Sequence, residues 1–219
     1  MKALAIDSAV TCISLAACNH QKKASVTLDI GMRQSEKLIP AIEYVLEQVE
    51  LDTSQLDFIA LSGGPGSFTG LRLGFAAAKG LQLSTGCPVY SIPTLQAQAE
   101  PYSSWPGKVI SAIDAKKDRF YVQIFFQGKE IGPSQDIGIE EIAQQLDEND
   151  QVLIVGPDSE ALLNRLQDFN PSLHLCRFPS LTSSITDALF SMGSKATKTL
   201  EPYEGPIYLR KSEAEENKK

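Results

Sequence analysis

Ala5-Ile6-Asp7-Ser8, near the start of the chain, returns just past its midpoint as Ala112-Ile113-Asp114-Ala115. Each copy ends an apolar run, and each leads through a short polar turn into a second apolar stretch, residues 11–16 in one case and 120–126 in the other. A strand–turn–strand that opens both halves of a chain predicts two related α/β domains. The expected division is a first domain over 1–107, a second over 108–210, and a charged flexible tail over 211–219. With 219 residues, 42% of them apolar, there is material for two cores.

Val26-Thr27-Leu28 predicts a third strand and so an antiparallel meander at the start. The period then changes. Leu38, Ile42, Val45, Leu46 and Val49 fall on one helical face over 35–49, with Ser35 as the expected N-cap and Glu36 in the first turn. A short strand over 58–61 runs into a glycine-rich loop, followed by a helix over 68–83. Phe68, Leu71, Phe75, Ala78 and Leu81 mark one side of that helix, and Gly74, Ala76, Ala77 and Gly80 keep it thin. Glycine inside a helix costs about 1 kcal/mol, so close packing against another element is the expected compensation. A strand over 89–92 is ended by Pro93, a short helix runs to Ala99, and residues 101–107 read as a linker. In the second half, helices are expected over 139–146, around Leu162, Leu163 and Leu166, and over 184–195, with a strand over 152–155.

The net charge of −7 opposes non-specific attraction to nucleic acid, so a partner or a local patch must supply any such contact. Cys12, Cys18, Cys87 and Cys176 lack metal-ligand or disulfide-framework spacing and read as reduced, mostly buried thiols. No apolar run approaches the roughly 20 residues of a membrane span. Nor does the N-terminus show a leader pattern, so no membrane association and a cytoplasmic location are expected.

The run Ser62-Gly63-Gly64-Pro65-Gly66-Ser67-Phe68-Thr69-Gly70-Leu71-Arg72 carries the strongest chemical signal. It is neither a Walker A loop nor a dinucleotide fingerprint, because the lysine and the glycine spacing are wrong. Two readings stand. Backbone N–H groups near Gly64, Gly66, Ser67 and Thr69 contact a nucleotide or other anion at a helix start, or the glycines let the loop pass close to a neighbouring element. Asp7 and Asp114, each at a strand end, likewise have two readings: a carboxylate pair holding Mg²⁺ through water, or caps on the turns that follow. Lys116, Lys117 and Arg119 form either a solvated hairpin tip or a partner-binding patch. His20 and His174 have no acidic or nucleophilic companions that would suggest a triad.

Over residues 1–125 the chain resembles the TsaB family of bacterial tRNA threonylcarbamoyladenosine biosynthesis proteins, formerly called glycoprotease-like. The segments that carry this are Leu4-Ala5-Ile6-Asp7-Ser8, Gln34-Ser35-Glu36-Lys37-Leu38-Ile39-Pro40, the run from Ser62 to Gly74, and Ala112-Ile113-Asp114-Ala115-Lys116-Lys117-Asp118-Arg119-Phe120-Tyr121. Gly205-Pro206-Ile207-Tyr208-Leu209-Arg210 resembles the family's closing motif. The resemblance implies a two-domain α/β actin-like ATPase (ribonuclease H-like) fold. It also implies a scaffold role, beside the catalytic paralogue TsaD and the ATPase TsaE, in threonylcarbamoylation of N6 of adenosine 37 in tRNAs reading codons that begin with A.

On that reading the chain itself is no enzyme and binds no cofactor tightly, whereas the complex requires ATP and Mg²⁺. It pairs with TsaD, or with itself in isolation, and meets tRNA mainly through the complex. The metal-binding histidine pair of the catalytic paralogue has no counterpart here, and Gln34 stands where family members often carry a histidine. The residues expected at the partner surface are Ser35, Leu38, Ile42, Phe68, Leu71, Arg72, Gly74, Phe75 and Ala78. Arg or Glu at Gly74 or Ala78 is then expected to break partner binding and leave the fold intact. The rival reading is a nucleotide-binding phosphotransferase or ATPase using Asp7 and the 63–70 loop; a peptidase lacks a nameable metal pair or nucleophile.

Overall fold

The two Ala-Ile-Asp segments end the central strands of two five-stranded sheets with one topology. The computed structural model describes residues 1–178 and 184–210. In chain order its elements are β1 (Lys2–Asp7), β2 (Ile13–Asn19), β3 (Lys22–Leu28), α1 (Gln34–Gln48), β4 (Phe58–Ser62), α2 (Phe68–Thr85), β5 (Val89–Ile92) and α3 (Thr94–Ala99). These are followed by β6 (Lys108–Asp114), β7 (Arg119–Phe126), β8 (Lys129–Gly138), α4 (Ile139–Ala143), β9 (Gln151–Val155), α5 (Ser159–Phe169), β10 (His174–Cys176) and α6 (Thr186–Gly193). The first sheet has the order β3-β2-β1-β4-β5 and the second β8-β7-β6-β9-β10. In both, the first three strands pair antiparallel and the last two join parallel. Helices lead from β3 to β4 and from β8 to β9, as parallel crossovers require.

Alternation along the strands separates the two faces of the first sheet. Leu4, Ile6, Ile13, Leu15, Ile59, Leu61 and Val89 pack with Leu38, Ile42 and Val45 of α1 and with Phe75 and Ala78 of α2. The opposite face is built from small side chains, Ala3, Ala5, Ala16 and Ala60, and is covered by Ala188, Leu189 and Phe190 of α6. An alanine-surfaced sheet lets a helix approach closely, and Gly193 completes the contact. A Cβ there would stand 2.8 Å from the Phe58 ring and 2.9 Å from the Ala60 Cβ. Gly193→Val is expected to lower unfolding free energy by about 1–3 kcal/mol through overpacking. Urea denaturation checks this, and an unchanged midpoint would argue against close seating of α6.

The second sheet buries Ile110, Ala112, Phe120, Val122, Ile124, Val152 and Ile154 against Ile142 of α4 and Leu162 and Leu166 of α5. Val109, Phe125, Leu153 and Val155 form its other face with Ala99, Tyr102 and Trp105. The expected linker at 101–107 is therefore partly core.

The described residues divide into two compact units, Met1–Ala97 with Ser184–Ile207, and Gln98–Phe178 with residues 208–210. This differs from a break after Gly107, because α6 returns to the first sheet and the Tyr102–Trp105 stretch packs on the second. Helix α1 starts one residue before Ser35, which is not its cap: Arg33 occupies that position after a 3₁₀ turn at Gly31–Arg33. The last helix is shorter than 184–195. Strands β8 and β10 carry no clear apolar alternation, the former holding Gly132 and Pro133 and the latter only three residues. The tail expected over 211–219 lies outside the described residues.

Candidate functional site

Asp7 ends β1 with its side chain turned inward, 2% exposed. Its Oδ1 accepts the Ala9 N–H at 3.2 Å, closing the turn that follows, and the Ser62 hydroxyl also bonds to the carboxylate. Burial pushes the carboxyl up to about 6, against those two hydrogen bonds, which favour the charged form. Ser62 Oγ in turn accepts the Ser8 N–H at 3.2 Å, so the end of β4 is tied to the end of β1.

The glycine-rich loop is laid over this turn. Gly63 donates to the Ile92 carbonyl at 2.6 Å, Gly64 to Thr94 Oγ1 at 3.0 Å, and Ser67 to the Ala9 carbonyl at 2.6 Å. Ser67 caps α2: its hydroxyl accepts the Gly70 N–H at 3.3 Å. The glycines are there for contact. A Cβ on Gly66 would meet the Ala9 backbone, and one on Gly70 would meet the Ser8 carbonyl oxygen. Gly64 has φ +101°, a conformation that glycine alone adopts without strain. Of the N–H groups in and beside this loop, those of Gly63, Gly64, Ser67 and Gly70 have partners within the chain.

In the second unit Asp114 has the same position at the end of β6, and it too caps its turn, accepting the Lys116 N–H at 2.8 Å. Its own N–H donates to Asp158 Oδ2 at 2.8 Å. Burial pushes this carboxyl up, but Lys116, through its backbone N–H, an ammonium 2.7 Å away and its charge, outweighs that effect. With Arg165 adding to the pull, Asp114 is held below the ordinary carboxylate range. Lys116, Lys117 and Asp118 all have φ between +55° and +60°, forming an exposed left-handed hairpin tip. Nearby, Arg119 and Arg210 both pair with Asp136.

The expected partner residues separate by helical phase. Leu38, Ile42, Leu71, Gly74, Phe75 and Ala78 are buried in the first unit's own core, which corrects their expected role as a docking surface. A Cβ on Gly74 would press on Ser8 and stand 3.7 Å from Ile6 Cγ2. Ser35 and Arg72 are exposed, and Phe68 is half-buried with the Arg72 guanidinium 3.7 Å from its ring centroid. The outward stripe of α2 is instead Thr69, Arg72, Ala76, Gly80 and Leu83, all exposed at spacings of three and four residues. Leu83 is 92% exposed, and Ile39 and Tyr44 on α1 are 49% and 50% exposed. The signal that finds this stripe in the sequence is the complement of the core phase set by Leu71, Phe75 and Ala78.

Among the described residues, no group of three His, Cys, Asp or Glu side chains comes together as a metal site. Nor is any helix among them long and apolar enough to cross a membrane.

A Pseudomonas aeruginosa protein described as similar to the peptidase YeaZ shares this architecture, with a TM-score of 0.80 at 23% identity over 95% of this chain and 99% of that one. A Bacteroides thetaiotaomicron protein with an actin-like ATPase fold has a TM-score of 0.50 at 15% identity, over 87% and 95% of the two chains. Two mixed sheets of one topology with their helices make this an α/β protein of the actin-like ATPase fold.

In sequence, the family model for TsaD, tRNA N6-adenosine threonylcarbamoyltransferase, matches residues 30–215. The tRNA threonylcarbamoyladenosine biosynthesis protein TsaB of Haemophilus influenzae is 30% identical over 167 residues, 70% of each chain. Its namesake from Buchnera aphidicola of Acyrthosiphon pisum is 31% identical over 120 residues, so the match spans 54% of that relative's length. The chain belongs to the TsaB family, within the broader family that the TsaD model describes.

Proposed function

We propose that this chain is a non-catalytic subunit in the synthesis of threonylcarbamoyladenosine on tRNA, holding a TsaD-type transferase through the outward face of α2. The observation that carries the reading is the stripe Thr69, Arg72, Ala76, Gly80 and Leu83, exposed on a helix whose opposite side is locked into the core. Between Arg72 and Leu83 this stripe bears no charge, and a Cβ on Gly80 would meet nothing within 4 Å, so another helix has room to lie along it. Ser35, Phe68 and Arg72 are the expected partner residues that keep this role. TsaE, ATP and Mg²⁺ belong to the working complex on this reading. The location is cytoplasmic, and tRNA is reached chiefly through the partner because this chain carries a net charge of −7.

The test is a variant that alters the stripe without touching the core. Ala76→Arg is expected to leave stability within about 0.5 kcal/mol, as exposed substitutions do. It should weaken binding of the TsaD-type partner at least about tenfold, or about 1.4 kcal/mol. Titration calorimetry with the purified partner, and a tRNA modification assay on the mixture, read both. Wild-type affinity in the variant would rule out the α2 face. Absence of binding by the unaltered chain would rule out the subunit role.

A further inference from the structure

The segment after α6 runs back along the first unit and is held at several points. Leu200 is buried in the α1–α2 core, and its N–H donates to the Val89 carbonyl at 2.7 Å, on the edge strand β5. Gln82 of α2 donates to the Leu200 carbonyl at 3.4 Å. Lys79, one turn earlier on the same helix, places its ammonium between two carbonyls, Pro202 at 2.7 Å and Glu204 at 2.6 Å. The turn between them closes on itself, with the Glu204 N–H donating to the Glu201 carbonyl at 3.0 Å and the Glu201 N–H to Glu204 Oε2 at 3.2 Å. Ile207 then donates to the Gly63 carbonyl at 2.8 Å, at the root of the glycine-rich loop. Its own carbonyl lies where a Cβ on Gly64 would be.

We infer that residues 200–207 form a strap, buckled by Lys79, that holds α2 and the glycine-rich loop in their working positions. The chemistry suits a clasp more than a passive tail. A lysine ammonium has three donors and no acceptor, and two of these donors meet main-chain oxygens that belong to no helix or sheet. Gly64 has a second reason to be glycine, since any side chain there would push Ile207 off the loop. The strap also pairs with one open group at the edge of β5, the Val89 carbonyl, which would otherwise lack a strand partner on that side. Through α2, a segment more than 120 residues away in sequence governs the outward stripe. The strap stands whether or not that stripe docks a partner.

Hydrogen–deuterium exchange on the full chain tests it, comparing the unaltered protein with Lys79→Met and Lys79→Arg. Amides of Leu200 and Ile207 report the strap directly; amides of 63–70 and of the second half of α2 report what it holds. In Lys79→Met all three groups are expected to exchange at least tenfold faster, with 108–126 of the second unit unchanged and Lys79→Arg close to the unaltered protein. Gly64→Ala should speed the same amides while leaving Lys79 in place. Unchanged exchange at Leu200 and Ile207 in Lys79→Met would overturn the buckle. Faster exchange there, with 63–70 and α2 still protected, would overturn the strap as a support.

Discussion

Ala78→Glu is expected to unfold the first unit, not to create a soluble protein that has merely lost its partner. Ala78 is fully buried and shares a cluster with Leu4, Ile6, Leu38, Ile42, Phe75 and Val89. A glutamate there puts extra atoms into a filled space and a carboxylate into an apolar one. Either effect alone costs a few kcal/mol, and together they exceed about 4 kcal/mol, a large part of the 5–15 kcal/mol that holds a typical domain together. Gly74→Arg meets the same fate, because its first side-chain carbon already collides with Ser8. Near-UV circular dichroism and a thermal melt of both variants decide the matter. Native spectra with a midpoint within a few degrees of the unaltered chain would show that these positions face outward after all. The contrast with Ala76→Arg, two residues away on the same helix, makes the experiment a measurement of helical phase.

That contrast also shows how far residue patterns reach. The doubled architecture was legible from the strand–turn–strand built around each Ala-Ile-Asp, since a strand that ends on an acid before a tight turn and a second strand is a local object. Both aspartates do cap their turns. The existence of α1 and α2 was equally plain from their period. What period does not give is which neighbour each side meets. The small residues of α2 satisfy two needs at once. Gly74 and Ala78 make room for the sheet, whereas Ala76 and Gly80 face solvent, and composition treats all four alike.

Non-local closure was harder still. Nothing near Gly64 in sequence announces that Ile207 will lie against it. Nor does the Gly156-Pro157 step announce that its glycine takes the same φ, +101°, as Gly64. Strand β8 has no apolar signature for a different reason, because an exposed edge strand needs no apolar alternation.

Asp7→Asn should change the pH dependence of stability more than any other single substitution at the glycine-rich loop. The Asp7 carboxyl ionises near 3.8 when unfolded and is pushed up to about 6 when folded, chiefly by burial. A raised pKa means that the native state prefers the proton. The contribution is therefore fully present below about pH 3.8, declines as the pH rises toward 6, and is lost above it. Roughly two pKa units at 1.36 kcal/mol each make that loss about 3 kcal/mol. Asparagine keeps an oxygen for the Ala9 N–H but carries no charge, so its stability does not follow this course. The other carboxylates titrate alike in both proteins and cancel in the difference. Unfolding free energies from urea denaturation at pH 4 and pH 7.5 should show the variant gaining about 2.4 kcal/mol on the unaltered chain between the two pH values, since part of the contribution is already lost at pH 4. Parallel profiles would mean that Asp7 is solvated in the native state. The carboxylate meanwhile ties together β1, the turn at Ala9, and Ser62 at the entrance to the glycine-rich loop.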